Sequence, residues 1–244
     1  SGYGLTLEDE IKSLEVLQQA NALHAVELVP TFLGAHEVPD EFQGQREKYI
    51  DVVIGEMLPA VVENKLAQFI DVFCENHVFT DKQAQHILAA GQSKGLAPKI
   101  HADQLHNSGG AEVAAEVGAV SADHLEHTPE HVDRKLHDAK VVPVMLPGAE
   151  FFRASRHYGP ARRMIRNRLP VAIATDFNPG TCMSELMQMM LTLACLQLKM
   201  SPTEAWIAAT YHAAKAIGCE AQIGTLEPGK QADFVIWDAD SATE

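Results

Sequence analysis

Apolar residues along this chain fall into short continuous runs separated by stretches of helical periodicity. Ala25–Leu33 (AVELVPTFL), Phe69–Phe73 (FIDVF), Ala97–His101 (APKIH), Ala119–Asp123, Lys140–Leu146 (KVVPVML) and Pro170–Thr175 each read as a buried strand. Between them lie helix patterns with start and stop signals. Thr6 caps a first helix whose opening turn holds Glu8, Asp9 and Glu10, with Leu7, Ile11, Leu14 and Leu17 on one face. Residues 46–65 read as helical with a break at Pro59, Thr80 caps a helix running towards Gly95, and residues 111–117 follow a Gly-Gly pair. Thr128-Pro129-Glu130 opens another helix, residues 160–168 form a basic one, and residues 184–199 a long one. Ser201-Pro202-Thr203-Glu204 is a capping-box start for a helix ending at Gly218.

Strands buried on both faces and alternating with helices imply a parallel α/β sheet. A doubly wound sheet and a (β/α)8 TIM-type barrel both fit, and the polar residues favour the barrel. Tyr3, His36, His101, His124 and Asp176 stand at or just beyond the C-terminal ends of strand-like runs. A barrel gathers those ends at one mouth, where its chemistry sits, whereas an open sheet spreads them along a crevice. The runs found then make His101 the end of the fifth strand of eight, with about two strands missing at the front. The tail from Gly224 to Trp237 leaves the alternation and reads as a turn and one strand of a different sheet. The expected division is a partial barrel over residues 1–222 and the start of a small β domain over 223–244.

Composition narrows the partners. A formal charge of −14 over 244 residues excludes nucleic acid, which needs clustered Lys and Arg, and suits a small-molecule substrate. Four scattered cysteines without a CxxC pair fit a reducing, cytoplasmic setting. No apolar run approaches membrane-spanning length. The opening Ser-Gly-Tyr-Gly and the stop just past an apparent strand suggest that both ends are cut.

Histidine and aspartate at neighbouring strand ends suggest metal-assisted hydrolysis, in which a metal with an open position brings the pKa of its water to about 7. His101 offers a neutral nitrogen, Asp176 a carboxylate that binds metal or takes a proton, and His124 a group to orient water or shuttle a proton. Asp123 and Asp103 are candidate partners for the histidines. The remaining histidines read as ordinary: His86, His127, His131 and His137 on polar helix faces, His212 as a core or interface residue. The arginines of 162–168 read as a solvated face, and the methionines of 183–190 as gap-filling core.

At these residues the chain resembles the amidohydrolase superfamily, and within it the branch acting on 4-imidazolone-5-propanoate in histidine degradation. The resemblance spans nearly the whole chain. It rests on Ser1-Gly2-Tyr3-Gly4-Leu5, on residues 32–39 (FLGAHEVP), on Lys99-Ile100-His101-Ala102-Asp103 and on Ser121-Ala122-Asp123-His124-Leu125. Residues 174–180 (ATDFNPG) and the tail from Gly224 to Asp233 complete it. It implies opening of the ring at a cyclic C–N bond to give N-formimidoyl-L-glutamate. It implies one zinc or iron ion held by His101 and Asp176, Asp176 as the base for water, and His124 as the catalytic histidine. Tyr3, His36, Asn178, Gly180 and Thr181 are the implied substrate-holding positions. A homodimer is the implied assembly.

The chain departs from that pattern twice. It has no His-x-His pair, and the arginine expected to clamp the propanoate would also belong to a missing front portion. Where some relatives carry a proton-shuttling glutamate three residues after the ligand histidine, this chain has Gln104, expected to bind substrate without moving protons. That amide counts against the nearest alternative, a heterocycle deaminase. A non-catalytic metabolite-binding barrel is the alternative outside enzymes.

Overall fold

A computed structural model describes residues 3–238. The first helix, α1 (Leu7–Leu23), starts where Thr6 Oγ1 accepts the Asp9 N–H at 3.2 Å. The next apolar run does not become strand at once. Val26 is 59% exposed, and the backbone here bonds to nearby side chains, Leu28 N–H to Asn21 Oδ1 at 2.8 Å and Val26 N–H to His24 Nδ1 at 3.0 Å. The strand β1 is Thr31–Ala35.

Residues 46–63 form one continuous rod rather than a broken helix: α2 (Arg46–Val52), a π-helical turn (Val53–Met57) and α3 (Leu58–Glu63). Pro59 has no N–H to give to the preceding turn, and the widened turn absorbs that defect. Then come β2 (Phe69–Cys74), α4 (Asp81–Ser93) behind a Thr80/Gln83 capping box, β3 (Ala97–Ala102), α5 (Gly110–Val117) and β4 (Ser121–His124). Helix α6 (Val132–Asp138) begins later than Pro129 suggests. The intervening turn is held from outside, because Thr128 Oγ1 donates to Asp103 at 2.8 Å and the Thr128 carbonyl accepts from Arg163 at 2.9 Å.

After β5 (Val142–Met145) a short unanticipated helix α7 (Pro147–Phe152) precedes α8 (Ala161–Arg166) and β6 (Ala172–Ile173). Helix α9 covers only Met187–Leu196, leaving Met183 71% exposed while Met190 is fully buried. The capping box at Ser201 is present, and the helix it starts divides at Thr210 (φ −120°, ψ −88°) into α10 (Pro202–Ala209) and α11 (Tyr211–Ala216). The basic face of α8 is not simply solvated. Arg163 donates to both carboxylate oxygens of Asp133 on α6, at 2.9 and 3.0 Å, and Arg162 pairs with Glu204.

Among the described residues all six strands are parallel and lie in sequential order, β1 to β6. A doubly wound sheet reverses its order at a switch point; unbroken sequential order is the winding of a TIM-type barrel, of which these strands form an arc. Val142, Val144, Leu146, Ala172 and Ala216 pack on its inner side, beside a cleft of about 1760 Å³. Lys99 closes part of that interior: its Nζ donates to Ser121 Oγ and, at 3.0 Å, to the Ala216 carbonyl. Helix α5 seats tightly on β3 because Gly110 has no side chain; a Cβ there would stand 2.9 Å from that of Ala102. Residues 224–237 form no strand among the described residues, and a strand needs a neighbour for its backbone groups. Trp237 rests instead on Trp206, ring centroids 5.2 Å apart. Residues 239–244 of the expected β segment, like Ser1 and Gly2, lie outside the described residues.

Candidate active site

Register carries the polar residues to one level. Phe73, His101 and Asp123 stand side by side on β2, β3 and β4, with Ala102 opposite His124. One pleat lower on β2 is Asp71, 2% exposed, whose Oδ1 lies 2.8 Å from His101 Nδ1. Burial resists charge on both groups, yet each stabilises the ion of the other. Asp71 is held below the usual carboxylate range, and Asp71, then Asp123 and Asp176, lift His101 to about 9.

Donor atoms of Asp71, His101 and Asp123 all lie within 4.8 Å of one another. Asp176 stands near enough to interact with the charges of His101 and Asp123; burial, reinforced by Asp123, pushes its carboxyl up. Three carboxylates around one imidazole form a site with excess negative charge, which fits a cation. His101 holds a proton where that cation would compete.

The other rings line up from this point. His36 meets His101 edge-on at 4.6 Å, stacks on Phe73 at 5.2 Å and carries Tyr3 at 4.5 Å on its outer side, while His124 is 5.5 Å from His101. Burial, with His101 alongside, holds His36 at about 3 and His124 well below the usual imidazole value. Both are therefore neutral. Their Nδ1 atoms are buried without a hydrogen-bond partner among the described residues. Tyr3 is half exposed, and burial followed by Asp176 raises its phenol.

The loop after β6 is a folded knot. Asn178 Oδ1 accepts N–H from Gly180 at 2.8 Å and from Thr181 at 2.7 Å, its Nδ2 donates to the Asp176 carbonyl at 2.7 Å, and Thr181 Oγ1 donates to Asp176 Oδ2 at 3.4 Å. Asn178 is thus engaged in shaping the loop, and Thr181 touches the carboxylate itself.

Behind His101 the sequence expectation and the geometry part company. Asp103 does not face a histidine. Its carboxylate accepts N–H from Ser108, Gly110 and Ala111 and the hydroxyl of Thr128, tying down the start of α5. Glu75, fully buried, accepts N–H from Leu105 and His106 and the Ser108 hydroxyl. Between these two clamps Gln104 is largely buried, with no hydrogen bond to its amide among the described residues. The partner of His101 is Asp71, which the sequence reading passed over. Its only signal is an acid inside an otherwise apolar strand (FIDVF), which a buried charge without a partner would make costly. Non-glycine residues with positive φ gather here, Asp103 (51°), His124 (78°), Leu125 (70°) and Asp176 (51°), as expected where side chains are aimed against backbone preference. Of the histidines read as ordinary, His212 donates to the Val171 carbonyl at 2.9 Å, while His127 stacks on His157 at 4.7 Å.

A sequentially wound arc of parallel strands with His and Asp donors at its C-terminal ends defines part of a TIM-type barrel carrying a candidate metal centre. The model of the amidohydrolase family matches residues 6–244, and the chain belongs to that family. It is 50% identical over 237 residues to the imidazolonepropionase of Geobacillus kaustophilus, covering 97% of this chain and 56% of the relative. It is 47% identical over 239 residues to that of Alkaliphilus metalliredigens, covering 98% and 57%. The chain thus spans little more than half the length of the curated relatives it matches. Among solved structures, a triazine hydrolase variant superposes with a TM-score of 0.70 at 15% identity, covering 90% of this chain and 55% of that one. A guanine deaminase from C. acetobutylicum superposes at 0.69 and 14% identity, covering 92% and 58%. These likenesses show the shared fold. No helix among the described residues is long and apolar enough to cross a membrane.

Proposed function

We propose that the protein hydrolyses 4-imidazolone-5-propanoate to N-formimidoyl-L-glutamate, as an imidazolonepropionase using one zinc or iron ion. The observation carrying this reading is 47–50% identity to imidazolonepropionases along 97–100% of the chain. His101 and Asp176 would hold the ion, with Asp71 and Asp123 close enough to orient or join them. The ion supplies Lewis-acid polarisation and an acidified water.

This chain's residues then do the following. Asp176, its carboxyl raised by burial, takes a proton from the attacking water. The water oxygen bonds to the ring carbonyl carbon, the bond from that carbon to the ring nitrogen breaks, and the nitrogen receives the proton. The second water proton leaves as the new carboxyl ionises. Neutral His124 donates a hydrogen bond that orients the reacting carbonyl. His36, Tyr3 and the 178–181 loop with Asn178, Gly180 and Thr181 shape the substrate pocket, and Gln104 pairs with the ring amide. A glutamine neither gives up nor gains a proton at neutral pH, so this position favours ring hydrolysis over deamination. Residues 1–222 would constitute the hydrolase unit and 223–244 the opening of a small β unit.

The test is turnover of imidazolone propanoate by the full-length protein, with metal analysis and a His101→Ala control. Activity lost in the control by roughly 1000-fold or more supports the site. Unchanged activity in that variant, or release of ammonia from a nucleobase by the wild type, overturns the reading.

A further inference from the structure

One buried acid beneath the site is not used by these hydrolytic steps. Glu126 lies two residues beyond His124 and is 5% exposed, and its Oε2 has no hydrogen-bond partner among the described residues. His124 Nδ1 is equally unpartnered, and the two atoms stand 3.8 Å apart. A buried polar atom left unsatisfied costs about 1–3 kcal/mol. Here two such atoms face each other across a gap that is roughly one ångström longer than a hydrogen bond.

The surroundings hold Glu126 in place without satisfying it. Arg153, whose charge acts on Glu126, is engaged by Glu150 at 2.8 Å. The backbone between the two side chains is left-handed at His124 and Leu125, with φ of 78° and 70°. That turn is fastened on three sides. Leu125 N–H donates to the Ala102 carbonyl at 3.0 Å, His127 N–H to the Asp103 carbonyl at 2.9 Å, and the His157 ring to the Glu126 carbonyl at 2.7 Å. Strained backbone secured in this way fixes where a side chain points, and the side chain it fixes is the acid behind the catalytic imidazole.

We propose that Glu126 is the positioning residue of His124: its carboxyl O–H closes onto Nδ1 and donates to it, holding the ring as the Nε2–H tautomer with that hydrogen committed to the substrate. A histidine's second nitrogen commonly sets the role of the first in this way. Only the kinetic consequence rests on the proposed hydrolysis; the ring geometry stands without it.

The experiment uses full-length, zinc-loaded protein labelled with ¹⁵N-histidine, the His124 signals being assigned by their loss in His124→Asn. In the wild type and in Glu126→Gln, which retains a hydrogen-bonding group, the His124 nitrogens should report a single tautomer. In Glu126→Leu they should report an average of two, and Glu126→Met substitutes where the leucine variant does not fold. Kinetically, the apolar variant should lose about a hundredfold in kcat with KM changed less than about threefold, while the glutamine variant keeps most of the rate. An identical ring spectrum in the wild type and the apolar variant overturns the proposal, as does equal loss of kcat in the glutamine and apolar variants. If the wild type does not turn over imidazolone propanoate, the reaction assignment fails while the ring spectra still decide the role of Glu126.

Discussion

Asp71 is the residue on which the site's charge balance turns. It is buried to 2% exposure and bonded to His101 Nδ1, so it fixes the imidazole's orientation and leaves Nε2 as the nitrogen available to a metal. Replacing it by asparagine keeps the shape but removes the charge that anchors the ring. Asp71→Asn in the full-length protein should bind metal about 10–100-fold more weakly, read by equilibrium dialysis against a chelator. Affinity equal to wild type would show that His101 needs no such partner. His36, His101, His124 and Asp176 were legible in the sequence because each stands at the end of an apolar run. Asp71 and Glu75 were not, because their roles depend on cross-strand register and on a loop folding back, neither of which spacing along one strand reveals.

Among the elements, the helices on the outside are joined by ion pairs more than their sequence suggests. Asp133 of α6 is 1% exposed and takes two bonds from Arg163 and one from Asn167, at 2.8–3.0 Å. Arg163→Met leaves that carboxylate buried and uncompensated, and should destabilise the fold by about 3 kcal/mol in denaturant unfolding. The second pair, Arg162 with Glu204, is more exposed, each side chain at 30%, so screening keeps its net contribution below about 1 kcal/mol. Its pH signature is nevertheless defined. Hydrogen bonding to Arg162 lowers the Glu204 carboxyl to about 2 from its usual 4.5. A depressed folded-state pKa means stability present above about pH 4.5 and lost progressively as pH falls towards 2. Glu204→Gln retains the capping box with Ser201 while removing the charge, so its stability should fall less steeply over that window than the wild type's. Parallel acid-titration curves for the two proteins would refute the assignment. The sequence announced the Thr80 cap, the Ser201 capping box and a barrel-like winding of the strands, since local chemistry and hydrophobic period specify them. It did not announce these pairs, because a basic helix reads the same in isolation whether water or a neighbouring helix faces it. The strand expected near residue 25 failed for a related reason: Asn21 and His24 offer the backbone nearer partners than a sheet does.

At the scale of the molecule, the parallel arc converts separate strand ends into a single charged centre. His101 and Asp71 come from adjacent strands, Asp123 from the next, and Asp176 from beyond β6, so a cation shared among them joins segments more than 100 residues apart, as Asp71 and Asp176 are. Without the cation, burial and the neighbouring Asp123 push the Asp176 carboxyl up, while His101 and the Thr181 hydroxyl work against them. Such a ligand binds the folded state and not the unfolded chain, so it must stabilise by mass action: about 4 kcal/mol at a free metal concentration 1000 times Kd. For a large barrel, at roughly 2 °C per kcal/mol, that is a rise of about 8 °C in Tm. Thermal unfolding of the full-length protein, chelated and then reloaded with zinc, should show this shift. His101→Ala should abolish most of it; because that substitution also leaves the buried Asp71 carboxylate without its partner, the zinc-dependent shift is read against the variant's own chelated Tm. A zinc-dependent shift of the same size in that variant would mean that the metal stabilises the protein from somewhere other than the strand-end centre.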